Sequence, residues 1–100
     1  MLRALEPDES RPLPAYPVPW HVDRIFGSHP LVTNVSDEPA NFVRVFVESG
    51  RDAATAHWGQ LVPGETAELC LCDVDRDNAV VTLAWFRPDT GIEYVWRFVM

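Results

Sequence analysis

The chain contains no lysine. All eight basic residues are arginine, against fifteen aspartates and glutamates, for a formal net charge of −7. An acidic surface without an arginine cluster repels phosphate backbones, which argues against nucleic acid as a partner, and anionic membrane surfaces are disfavoured for the same reason. Long apolar runs are also missing: no stretch approaches the roughly 20 residues of a membrane-spanning helix. The N-terminal MLRALEPDESRPLPAYP carries Glu6, Asp8 and Glu9 where a signal peptide needs an apolar core, so the expectation is a cytoplasmic protein. Cysteine is scarce, and Cys70 and Cys72 are expected as free thiols in a reducing compartment. Two apart on a strand, their Cβ atoms stand about 7 Å apart, against the roughly 3.8 Å of a disulfide. There is no Gly-rich phosphate loop and no nucleophile elbow, and His21, His29 and His57 are scattered. Nothing catalytic assembles from these residues, so a non-enzyme without a cofactor is expected.

What is present points to β structure. Valine occurs thirteen times in 100 residues, and Gly and Pro punctuate the chain at short intervals. Five of the nine prolines fall at 7, 12, 14, 17 and 19, which predicts an extended Pro-rich arm over 1–19. Within it, Arg11-Pro-Leu-Pro14-Ala-Tyr-Pro17 has the R-x-x-P-x-x-P spacing read by polyproline-binding domains, although chance matches are common in such tails. From Trp20 the apolar period is two. The alternation predicts strands from Trp20, over Leu31 to Val35, Asn41 to Glu48, Thr55 to Leu61, Thr66 to Cys72, Val80 to Phe86 and Ile92 to Val99, with turns between. Seven short strands with turn chemistry every eight to twelve residues and no helical period predict an all-β, two-sheet sandwich over 20–100.

Two turns carry a resemblance. Asn34-Val-Ser-Asp-Glu-Pro-Ala40, followed by the alternating strand to Val47, and Leu61-Val-Pro-Gly-Glu-Thr-Ala67, before the next strand, are similar to the turns of bacterial immunoglobulin-like sandwich domains of the conserved-repeat adhesion type. The resemblance spans roughly residues 20 to 99. It implies an immunoglobulin-like antiparallel sandwich and a role as a spacer or interaction module, which that family performs within exported multidomain proteins. Asn34-Val-Ser36 is also a formal glycosylation sequon.

The stretch CLCDVDRDN, residues 70–78, invites a metal reading. Asp73, Asp75 and Asp77 match positions 1, 3 and 5 of an EF-hand-type calcium loop, but position 12 is Ala84 where a bidentate Glu is needed. A weak calcium site is therefore the alternative to a solvated Asp/Asn turn. Cys70 and Cys72 with His57 would make an incomplete zinc set.

The last hairpin raises the question of a partner. If the Arg87-Pro-Asp-Thr-Gly91 loop pairs Phe86 with Ile92, then Ala84 faces Tyr94, Thr82 faces Trp96 and Val80 faces Phe98. The other side carries Val81, Leu83, Trp85, Val95 and Val99, interrupted by Glu93 and Arg97, and this side is expected to face inward. Tyr94, Trp96 and Phe86, flanked by Thr82 and Ala84, then form an aromatic strip. The strip reads as packing beneath the arm, as a protein interface including a homodimer, or as a sugar-stacking platform. The leading expectation is a protein-interaction or assembly module, with a ligand-binding sandwich, for calcium or carbohydrate, as the alternative.

Overall fold

The computed structural model describes residues 17–24, 27–50, 52–71, 74, 78–88 and 90–100. The arm up to residue 16 lies outside them. Among the described residues the chain forms seven strands and no helix, and so has no helix long and apolar enough to cross a membrane.

The strands form where valine and its β-branched or aromatic neighbours alternate with polar residues. β1 (Trp20–Asp23) and β2 (Leu31–Asn34) are short, while β3 (Ala40–Ser49) and β4 (Asp52–Leu61) are ten residues each. β5 (Thr66–Glu68), β6 (Ala79–Phe86) and β7 (Glu93–Val99) follow. β4 starts three residues earlier than its apolar pattern suggests, because a two-residue connection after Ser49 sends the chain straight back along β3. Gly50 begins that connection at φ +59°, a conformation that costs glycine nothing. β5 stops at Glu68, short of the strand expected from Thr66 to Cys72, yet Leu69 and Leu71 beyond it are buried. Their N–H groups donate to the carbonyls of Pro30 and Ser28, carrying the β2–β5 register onward, while Pro30 has no N–H to return the bond.

All pairings are antiparallel. One sheet has the order β1-β2-β5 and the other β4-β3-β6-β7. The core lies between them, with Trp20, Val32, Leu69 and Leu71 from the first side meeting Val43, Val45, Val81, Leu83 and Trp85 from the second. Trp20 and Trp85 bridge the layers edge to face, their centroids 5.4 Å apart. Cross-strand partners share a face, so the register identifies the inner rows as Ala56–Val45–Leu83–Trp96 and Val47–Val81–Phe98.

That register corrects the expected last hairpin by one residue. Phe86 pairs with Glu93, Trp85 with Tyr94, Leu83 with Trp96 and Val81 with Phe98. Tyr94 and Trp96 therefore point inward, and Val95 and Val99 point outward. The charged residues decide it: this slip places Glu93 and Arg97 beside Val95 and Val99 on the solvent side, where the expected register would have buried both charges.

Candidate interaction surface

The two turns that carry the resemblance close one end of the sandwich. Asn34 is fully buried, and every polar position on its side chain is used. Nδ2 donates to the carbonyls of Glu38 (2.9 Å) and Leu61 (2.8 Å), while Oδ1 accepts from the N–H and hydroxyl of Ser36. Val62 to Glu65 form a type II turn, with Pro63 and then Gly64 at φ +83°, closed by the Glu65 N–H on the Val62 carbonyl. The Asn34 N–H donates to the Glu65 carbonyl, and the Gly64 N–H to the Asn34 carbonyl. These residues are a structural staple between β2 and the end of β4. The sequon at Asn34 accordingly has no accessible amide in the fold.

A groove of about 420 Å³ lies beside this staple, lined by Pro17, Pro19, Val35, Asp37, Glu38 and Arg87. Arg87 donates through Nε and Nη2 to the two carboxylate oxygens of Glu38, at 2.6 and 3.2 Å. This two-point pair ties the β6–β7 connection to the β2–β3 turn and occupies both charges.

The outer face of the four-stranded sheet is different in character. At its start β3 carries one extra residue: Asn41 pairs with Phe86 and Arg44 with Ala84, so two residues of β3 oppose one of β6. The bulge lets Ala40 and Val43, three apart, both reach the core, where each is buried. Its cost falls on Phe42, which sits at φ 51° and is 72% exposed. A bulky residue in the left-handed region is strained by about 1 kcal/mol or more.

Other side chains hold that strained residue in place. The Phe42 ring meets Phe86 at 6.1 Å, nearly perpendicular. Arg44 donates from Nε to the Phe42 carbonyl, lays its guanidinium 5.7 Å over the Phe86 ring and forms an ion pair with Glu93. Ile92 and Val95 extend the apolar surface and are both exposed. Farther along the same face, Phe46, Glu48, Thr55, Thr82 and Arg97 line a shallow groove of about 400 Å³. The result is an aromatic knob with a charged pair beside it, continuous with a mixed groove. The Phe42 and Phe86 rings stand nearly perpendicular and so share no common stacking plane.

The four expected site residues divide between two faces. Phe86 and Thr82 lie on this outer face, both half-buried. Tyr94 and Trp96 lie on the inner face, where Tyr94 stacks on Trp85 at 6.1 Å and Trp96 packs against Phe98 at 5.1 Å. Phe42, Arg44, Glu93 and Val95 were not singled out from the sequence. The available signal was the run Ala-Asn-Phe-Val at 40–43, whose two inward residues cannot share a face at period two.

Asp73, Asp75, Asp77 and Cys72 lie outside the described residues. Cys70 is exposed, and no group of three His, Cys, Asp or Glu side chains close enough to hold a metal ion occurs among the described residues. The three histidines are separate, His21 on β1, His29 in the turn before β2 and His57 on β4. Compared with known proteins, the chain matches no family model, no curated protein and no solved structure.

Proposed function

We propose that this chain is a non-catalytic interaction module, an immunoglobulin-like sandwich that docks a protein partner on the outer face of its four-stranded sheet. The strand order supports the immunoglobulin-like reading: strands 1, 2 and 5 form one sheet and strands 4, 3, 6 and 7 the other. This matches an A-B-E sheet facing a C′-C-F-G sheet.

One observation carries the docking reading. Phe42 combines high exposure, an unfavourable backbone conformation and a supporting set of Phe86, Arg44 and Glu93. Strain and exposed aromatic surface both oppose folding and solubility, and their coincidence at one supported residue suits a binding contact. A partner for this face presents an apolar pocket for the Phe42 ring with polar groups placed for Arg44 and Glu93, since an aromatic anchor ringed by polar contacts is the usual make-up of an interface centre.

The test compares proteins captured from the native organism by the wild-type chain and by Phe42→Asp, with circular dichroism and thermal melts establishing that both are folded. A partner retained by the wild type and lost with Phe42→Asp supports the assignment. Identical capture by both folded proteins overturns it.

A further inference from the structure

A second feature of the four-stranded sheet points to a contact that does not use the Phe42 face. β4 is an edge strand of ten residues, and no described strand pairs with its outer side. Long edges expose a row of unpaired N–H and C=O groups, and natural sheets usually blunt them with charge, proline or bulges. The other three edges are short or charged. β1 and β5 have four and three residues and carry Asp23 and Glu68, while β7 carries Glu93 and Arg97. On β4 no residue from Ala53 to Gln60 is Asp, Glu, Arg or Pro. The irregularity in the β3–β4 ladder begins only beyond His57, so 52–57 is regular.

We infer that β4 pairs antiparallel with β4 of a second copy of this chain, joining two four-stranded sheets across a two-fold axis at Thr55. Backbone phase selects that register. The two-residue connection makes Ser49–Asp52 a hydrogen-bonded pair, so bonded and non-bonded pairs alternate along the ladder. Ala53, Thr55 and His57, opposite Glu48, Phe46 and Arg44, are the non-bonded members, and their N–H and C=O groups point away from β3. Placing Thr55 opposite Thr55 of the second copy sets Ala53 opposite His57, so all three outward residues exchange hydrogen bonds. A shift of the axis to Ala54 or Ala56 would engage only two of them.

Side chains and charge favour a second copy as the occupant. Ala54 and Ala56 oppose each other on the inner side, and the threonines meet on the outer side, so the backbones approach without a clash. Two chains of net charge −7 repel, and this uncharged strip is where they come together at least electrostatic cost. The two-fold relation also aligns opposite ends of the outer face. The row Glu48–Ala53 of one copy continues into the row His57–Arg44 of the other. Glu48 makes no ion pair with any described residue of its own chain. Small Ala53 leaves room for it to reach His57 of the second copy, two strand spacings or roughly 10 Å away between Cα atoms.

The pairing goes beyond the docking function proposed above and uses another surface, so the two can fail separately. Light scattering on size-exclusion fractions of the full chain, from micromolar to millimolar protein, reads it directly. The expected result is a concentration-dependent rise from 11.3 kDa towards twice that mass. Thr55→Asp places two carboxylates across the axis, and Thr55→Pro removes an outward N–H that β3 does not use. Each is expected to weaken dimerisation at least tenfold while a melt records a folded protein, and Phe42→Asp is expected to leave the dimer intact. A chain that stays at 11.3 kDa throughout overturns the inference, as does a dimer that survives both folded Thr55 variants or is lost with Phe42→Asp. Where Thr55→Pro fails to fold, Thr55→Asp decides alone.

Discussion

The Asn34 side chain donates a hydrogen bond of 2.8 Å to the carbonyl of Leu61, joining the end of β2 in one sheet to the end of β4 in the other. Around that bond, a turn with Ser36 and a turn with Pro63-Gly64 satisfy each other's backbone. Two short sequence motifs twenty-seven residues apart thus become one piece of structure.

Removing Asn34 takes the side-chain donor from the buried Leu61 carbonyl, leaves the Ser36 N–H and hydroxyl without their acceptor, and removes one of two donors on the Glu38 carbonyl, which keeps the Ser36 hydroxyl. Asn34→Ala is expected to destabilise the fold by about 3 kcal/mol, since each orphaned buried group costs about 1–3 kcal/mol. For a chain of this size that lowers Tm by about 10–20 °C. Asn34→Asp should fare no better, because it forfeits both donors and introduces a charge in a fully buried position. Urea unfolding of the two variants checks this; a midpoint within error of wild type would mean that the staple contributes nothing to stability.

Phe42 should separate stability from binding. Asn tolerates the left-handed conformation at φ 51° better than Phe. Phe42→Asn also forfeits a ring pair worth about 0.5–1.5 kcal/mol beyond its area. The two effects nearly cancel, so stability is expected to stay within about 1 kcal/mol of wild type while partner capture is lost. A thermal melt beside the capture experiment reads both. A large loss of stability would make Phe42 a packing residue instead.

The strands were legible in the sequence because valine alternation and Gly/Pro turns are local signals, and Val43, Val45 and Val47 needed no tertiary information. The last hairpin was not, since its register depends on how many residues the loop after Phe86 absorbs. Two apolar faces left only Glu93 and Arg97 to choose between them, and weighing those two charges would have given the observed answer. The knob was hidden for another reason. Phe42 sits in a strand pattern that looks regular, and only the need to bury both Ala40 and Val43 reveals the bulge. β4 was underestimated because its small residues, Ala53, Ala54 and Ala56, carry little strand propensity; the hairpin at Gly50 and pairing with β3 make it a strand.

The corrected register makes a paired prediction on β7. Trp96 faces inward opposite Leu83, so Trp96→Ala is expected to cost about 2 kcal/mol, less than a fully buried tryptophan because it is half-exposed at a sheet edge. Val99 lies on the outer side and is 66% exposed, so Val99→Ser should stay within about 0.5 kcal/mol of wild type. The expected register reverses this order, placing Val99 in the core and Trp96 on the surface. Comparing the two variants in one denaturant series tests the register through side chains on a single strand. Equal or inverted costs would require the β6–β7 hairpin to be shifted by one residue, taking Tyr94 back to the outer face beside Phe86.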